Sequence, residues 1–473
     1  MQSVIWTVKV VKVLILLFAF AGSLAHARLV DLLKEFERVN GDVKNAKDQI
    51  KLAVLTKDSI LAKMGWYLSS GGYLNNNNLE PASALSDIRG NYWNYNINLS
   101  KPFIWGGEFQ LTNNLTSSKL KAATDPTYLF EQGVNFSQDL GKNFLGRENY
   151  KSLAIAEQQV GVEKVTESLV KENKLLEFYN AYLQISLERS LLNLEKNALE
   201  RAKKRSELIR GWVKDGLKRK VDWQQSVMTE LEKSERVEMA NLRIKGALDT
   251  LSKLLHRRVR ATEVNTLKRN RLPFPRKRDA VSDNKNLLLM SKRIHQIKLS
   301  LEKAGLSFTP SLKAYVNYST NQYDSELGTS VTKGGLWNSD NSVTAGINLT
   351  WPLGFKSENI EKAKLKIQLR GLDRQQKDLT KNLKVDHYFL RQQLKRLNEN
   401  LKSSSKRLVL SKDILKEYTK LYDLGQMDLD QVIRAEEMRI GTETSIVNYV
   451  AQKERYLANL HYVNGHLRKV LFK

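Results

Sequence analysis

Two periods of apolar residues alternate along the chain. Residues 28–63 place Leu29, Leu32, Leu33, Phe36, Val39, Val43, Ile50, Val54 and Leu61 on one side of a helix. From Trp66 the period falls to two. Trp93, Tyr95, Ile97 and Leu99 alternate with Asn94, Asn96, Asn98 and Ser100, as in a strand with one apolar face. Residues 104–107 read as a turn, after which Phe109 and Leu111 continue the alternation, and Phe130, Val134 and Phe136 begin it again; strands are expected over 66–140. A helical period then runs from 147 to about Trp212. Leu169, Leu176 and Leu183 are spaced by seven, and the seam shifts by four to Leu187 before resuming at Leu194, a stutter that loosens a supercoil. At 1.5 Å per residue such a helix is a rod on the order of 100 Å. A turn at Gly211–Gly216 leads to a second helix from Val221 to Leu255, so that helices occupy 147–255, and the Arg-rich segment 256–283, with Pro273 and Pro275, reads as a linker.

The order then recurs. A helix over 284–304 (Leu287, Leu288, Ile294, Ile297, Leu301) precedes a strand region, 308–353. There Leu312, Ala314, Val316 and Tyr318 alternate with polar neighbours, and Val343, Ala345, Ile347, Leu349 and Trp351 do so again beyond a polar loop, Thr320–Asn341. Long helices over 357–424 and 428–471 follow, broken only at Gly425. The halves, 28–283 and 284–473, are offset by roughly 210 residues, which reads as a duplication rather than a short-period solenoid. Glycine in the left-handed conformation ends a helix and short acidic residues such as Asp428 and Asp430 cap the next, so Gly216 and Gly425 are expected at the tips of two helical hairpins.

Composition adds an address. Lys9 and Lys12 precede the apolar run Val13–Ala21, and Ala25 and Ala27 offer small residues for cleavage, so residues 1–27 read as a secretory signal too short to span a bilayer. No later stretch approaches eighteen apolar residues, which leaves strands as the only candidates for a membrane span. The chain has no cysteine and therefore no disulfide. Its net charge is +26; without Lys9 and Lys12, 75 basic residues face 51 acidic ones. These charges are mixed along helices of an exported chain, which argues against nucleic acid and for a solvated helical surface or an anion-attracting lumen.

Alternating strands can form a soluble sheet with one wet face. Export, polar loops and the clustering of Trp66, Trp93, Trp105, Trp337 and Trp351 in the strand regions favour a membrane barrel instead. A few strands cannot close a barrel and open edges in lipid are costly, so several copies must share one. In residues 301–319 (LEKAGLSFTPSLKAYVNYS), 345–355 (AGINLTWPLGF), 422–437 (YDLGQMDLDQVIRAEE), 456–471 (YLANLHYVNGHLRKVL) and 213–226 (VKDGLKRKVDWQQS), taken in order, the chain resembles the TolC-family outer-membrane efflux proteins. The resemblance implies a mainly α fold with a membrane β-barrel part: long coiled-coil hairpins forming a periplasmic α-barrel, and a homotrimer whose strands form one twelve-stranded barrel in outer-membrane lipid. It implies the passive exit duct of a tripartite efflux pump or type I secretion system. The implied partners are a periplasmic adaptor and an inner-membrane RND or ABC transporter. A non-conducting periplasmic coiled-coil spacer is the alternative. One departure stands out. The family minimum is two strands per half, and the segment 91–118 is an added hairpin, a long bent strand or extra barrel staves.

A conduit needs no catalytic constellation or cofactor, and none is legible. His461 and His466 read as exposed helix histidines. The resemblance places Tyr422 and Asp222 as a latch hydrogen-bonded across hairpins in the closed state; their alternative roles are packing and capping. It places Gln431 and Arg434 where relatives carry aspartate rings at the entrance, and Met427 at a gating arginine, which suggests a neutral to anion-favouring entrance. The tips Gly216, Leu217, Leu424, Gly425 and Gln426 are the implied adaptor contacts. Trp212 and Trp223 flank the first tip, either as an exposed interface or as packing between paired helices.

Overall fold

The computed structural model describes residues 29–80, 90–120, 125–267, 272–275 and 281–472; the expected signal, 1–27, lies outside them. In chain order the elements are α1 (29–39), α2 (Gly41–Ala62), β1 (Tyr67–Asn77), β2 (Gly90–Pro102), β3 (Gly107–Leu120), β4 (Thr127–Asp139), α3 (Arg147–Lys214), α4 (Lys220–Leu255), α5 (Lys285–Leu306), β5 (Ser311–Asp324), α6 (Leu327–Lys333), β6 (Asn341–Thr350), α7 (Lys356–Asp423), α8 (Leu429–Val463) and α9 (Leu467–Leu471). They fall into two compact units.

The first unit contains the chain up to Asp48, Lys164–Leu289 and the chain from Gln376. Its core is aromatic at the centre. Phe178, Tyr179 and Tyr182 of α3 are fully buried with Phe36 of α1, whose ring lies 4.7 Å from that of Phe178. Leu251 and Leu255 of α4, Leu390 and Leu394 of α7, and Leu457 and Leu460 of α8 complete it. The seven-residue leucine spacing on α3 meets this core in part: Leu183 is buried in it and Leu176 packs against it, next to Leu175, Phe178, Tyr179 and Tyr182, which are buried at spacings of three, one and three.

Four expectations change here. The helix expected over 28–63 is two helices, because the Asn40 side chain accepts from the Val43 N–H (3.1 Å) and so caps a new start. The helix expected over 428–471 breaks at Asn464–Gly465. Gly465 has φ +71° and lies so close to Asp283 O that a Cβ would fall 2.2 Å from it, and the Asn284 amide donates to Val463 O at 2.9 Å. The segment expected as a linker, 256–283, is instead packed where it is described: Val259, Val264 and Leu272 are buried in the core. Its backbone is held by side chains of α3 and α8. The Tyr182 hydroxyl accepts from Asn265 N–H (3.2 Å), Ser190 Oγ from Leu267 N–H (3.0 Å) and Glu454 Oε2 from Leu272 N–H (3.0 Å). His461 is also buried, with Nε2 2.8 Å from Pro273 O, so it is a core residue and not an exposed one.

The second unit, Gln49–Glu163 and Met290–Gln375, carries the strands. They form one antiparallel six-stranded sheet in the order β1-β2-β3-β4-β5-β6. The extra pair is therefore settled: β2 and β3 are full strands of 13 and 14 residues, paired along their length with each other and with β1 and β4. Strands of 10 to 14 residues are long enough to cross a bilayer when tilted. The loop expected over 320–341 is shorter, since β5 runs to Asp324 and α6 folds back on the sheet, with Ser330 buried and the Tyr318 hydroxyl donating to Leu336 O (2.9 Å).

Candidate functional site

The two hairpin turns are built alike. In the first, Gly216 N–H donates to Val213 O and Leu217 N–H to Trp212 O; in the second, Gly425 N–H donates to Tyr422 O and Gln426 N–H to Leu421 O. The glycines have φ +74° and +77°, and a Cβ on either would meet nothing, so the backbone conformation alone requires glycine. The following helices begin at the extended residues Arg219 and Asp428, neither of which caps through its side chain. Asp428 therefore holds the cap position without the expected capping bond, and its carboxylate instead lies 3.7 Å from Arg219. At the apices Leu217 and Leu424 are 68% and 62% exposed, beside the exposed Gln426.

Inside the turns lies a small separate core of Ile209, Leu415, Tyr422, Leu429, Val432 and Ala435, against which Trp212 and Trp223 pack half-buried. The packing role of both tryptophans is thus the one seen. Tyr422 lies beneath Lys218, whose ammonium sits 4.0 Å above its ring and donates to the Tyr422 carbonyl at 2.7 Å. Tyr422 and Asp222 border the same cleft, with Gly216, Arg219 and Asp428. They are not hydrogen-bonded within the chain. Asp222 is buried and takes the Arg219 guanidinium at 3.1 Å, while the Tyr422 hydroxyl is buried without a partner among the described residues. Burial first, and then the charges of Asp222 and Asp423, push the Tyr422 phenol up to about 12. Lys218 and Arg219 went unread in the sequence, although Arg219 and Asp222 stand at the i, i+3 spacing of a helical ion pair.

Farther along α8, Gln431 and Arg434 are exposed. Arg434 is paired with Asp430 at 2.8 Å one turn earlier, which offsets its positive charge. Behind them Glu436 is buried between Arg201 (2.7 Å) and Arg205 (3.5 Å) of α3, a salt bridge that ties the two hairpins together.

The sheet has two chemically distinct faces. The register brings Leu68, Trp93, Ile97, Leu99, Leu111, Val134, Phe136, Val316, Val343 and Ile347 to one side. Many of these remain open to solvent, Leu68 at 73% and Ile347 at 69%. The opposite side carries Asn94, Asn96, Asn98, Asn114, Asn135, Asn317 and Asn348. Asn94 donates to Thr116 Oγ1 (2.9 Å) and Asn114 to Glu131 (2.8 Å). At the base of the sheet, the end next to the 103–107 turn, aromatic rings gather on strand ends: Trp66 against Phe109 (6.1 Å), and Trp105 against Phe103 (5.0 Å) and Phe136 (6.1 Å). Trp351 lies beside Phe355 (6.2 Å) at the foot of β6. At the other end Trp93 lies against Tyr128 (6.2 Å), and Trp337 is 98% exposed.

No family model matches the chain, and no curated protein matches it in sequence. Solved structures do. CusC, described through its transmembrane channel formation, superposes with a TM-score of 0.66 at 14% identity, covering 93% of this chain and 92% of its own. The Campylobacter jejuni CmeC outer membrane channel gives 0.67 at 12%, over 93% and 86%. The Vibrio cholerae outer membrane protein VceC gives 0.66 at 13%, over 94% and 96%. At these identities the fold is what is shared, and over nearly all of its length this chain has the fold of these outer membrane proteins.

Proposed function

We propose that the protein is an outer-membrane exit duct, passing cargo passively from periplasm to exterior as part of a tripartite efflux pump or a type I secretion system. The observation that carries this reading is the sheet, with an exposed apolar face, an asparagine-lined polar face and aromatic residues at both ends, the distribution that lipid on one side and water on the other would select. Three copies would share one barrel, and the offset of 209 residues between α3 and α7 and again between α4 and α8 supports an internal duplication. The two tips would form the periplasmic entrance. Tyr422 and Asp222 would close it across neighbouring hairpins, the unpartnered Tyr422 hydroxyl being free to take such a bond, and Leu217 and Leu424 with Gly216, Gly425 and Gln426 would meet the adaptor. The Arg434–Asp430 pair makes the entrance ring near-neutral in this reading. Planar-bilayer recording of the purified full chain tests it. Discrete conductance steps are expected, and a protein that inserts yet never conducts would be the periplasmic spacer instead.

A further inference from the structure

The sheet's two outer strands are built unlike its four inner ones. Each inner strand carries charges: Lys101 on β2, Glu108 and Lys119 on β3, Glu131 and Asp139 on β4, Lys313 and Asp324 on β5. β1 and β6 carry none, and no proline. Proteins that leave a sheet edge in water protect it with charge, proline or a bulge, and these edges have no such protection. Their lengths match, 11 and 10 residues. Because the strand number is even, β1 leaves the base and β6 returns to it, so β6 of a second copy lies antiparallel to β1. The faces match as well: Leu68 and Leu74 of β1 share the apolar side with Val343, Ala345, Ile347 and Leu349 of β6.

The added hairpin enters this ring as an insertion. α2 and α5, both of 22 residues, begin at 41 and 285, and β1 and β5 at 67 and 311, a displacement of 244. α3 and α7, both of 68 residues, begin at 147 and 356, a displacement of 209. The first half therefore holds 35 extra residues between β1 and α3, where β2 and β3 lie.

We infer that β1 of each copy pairs with β6 of the next, closing an eighteen-stranded barrel in the outer membrane, six strands from each of three chains, in place of the twelve the family resemblance implies. The inference rests on the exit-duct reading and adds the strand count to it. With strands ~4.8 Å apart and tilted about 40°, eighteen strands give a backbone diameter of about 36 Å and twelve give about 24 Å. The β2–β3 hairpin thus more than doubles the cross-section of the exit while leaving the hairpin tips unchanged. The cargo it fits is correspondingly bulky.

The natural absence of cysteine makes the test clean. Ser70→Cys is combined in turn with Ala345→Cys, Ile347→Cys and Leu349→Cys in the full chain, and the membrane-inserted protein is oxidised. One register is expected to yield a covalent ladder ending at three chains, and images of the unmodified particle in detergent are expected to show a barrel about 36 Å across its backbone. Deleting Gly90–Leu120 should leave β1 beside β4 and shrink the barrel to about 24 Å. A conducting protein whose barrel measures about 24 Å, or whose cysteine pairs close only within one chain, overturns the eighteen strands and leaves the duct intact. A protein that never conducts overturns the duct reading and this inference with it.

Discussion

Glu172 on α3 offers the most quantitative test of the helical unit. Only 4% of it is exposed, and burial pushes its carboxyl up to about 7 against the opposing charges of Lys285 and Arg468. A carboxyl whose folded value is raised favours the folded state only while protonated. Its contribution is fully present below the ordinary value of 4.5 and is lost as pH rises through 7. The interval is worth about 3 to 4 kcal/mol in total, of which about 2 to 3 kcal/mol falls between pH 5 and pH 8. A long chain of two compact units does not unfold in one reversible step, so the useful measure is local: hydrogen exchange of α9 and the adjoining turn of α3, corrected for intrinsic rates. Protection there should drop about seventy-fold from pH 5 to pH 8. Glu172→Gln, neutral throughout, should flatten that dependence and exceed the parent's protection at pH 8. An unchanged pH dependence in the Gln variant would refute the assignment of the burial cost to this carboxyl.

Four further outcomes follow from the tips and the helix pairs. Tyr422→Phe removes a buried hydroxyl with no partner among the described residues, so tip packing should be unchanged or slightly tighter; if the hydroxyl closes the entrance across copies, the resting conductance in bilayers should nonetheless rise. Gly216→Val and Gly425→Val each force a β-branched residue to positive φ at about 1–2 kcal/mol, and should abolish export in drug-susceptibility assays while native gels show the same assembly as the parent. Arg434→Asp places a second carboxylate beside Asp430 and should turn a weakly selective channel cation-selective, read from reversal potentials in a salt gradient. Lys233 is 2% exposed and bonds Glu437 at 3.2 Å, so Glu437→Leu should destabilise by about 2 kcal/mol and Lys233→Met should be close to neutral, compared by thermal melting of the two variants.

The sequence was most informative where one physical term dominates. The turns at Gly216 and Gly425 and the two-residue period of β2 follow from local backbone chemistry and from lipid or water on a single face, and both are visible in the chain. The break at Asn40 was less so, because an asparagine within a helical pattern marks a cap only if its side chain turns back to Val43. Burial of the 256–283 segment depends on hydroxyls and a carboxylate from α3 and α8 reaching its backbone N–H groups, partners about 75 to 180 residues distant that no local pattern reveals. At the tip, family likeness drew attention to Tyr422 and Asp222 but not to Lys218 and Arg219, which engage them within one chain. The aromatic seam on α3 was hidden by the more regular leucines next to it.

The net charge of +26 invites a view of the proposed duct as an anion attractor, and the placement of the charges argues otherwise. On the polar face of the sheet, Glu108, Asp139 and Lys313 sit at the base, where Lys313 and Glu108 neutralise each other at 2.9 Å. Between the base and the far end Glu131 is the one charge on that face among the described residues, and it is held by Asn114. Lys101 lies on the apolar side, 5.0 Å above the Trp66 ring, where its stem can follow the girdle while its ammonium reaches water. A wall of asparagine, serine and threonine offers a solute hydrogen bonds in both directions and little field. If the six strands close with those of two other copies, ions should pass the membrane part of the duct with weak selectivity, and discrimination by charge must come from the helical tips. There Arg219 pairs with Asp222 and lies 3.7 Å from Asp428, and Lys218 sits over the Tyr422 ring, so substitutions at the tip should shift selectivity, while exchanging Asn96 or Asn317 for serine should not.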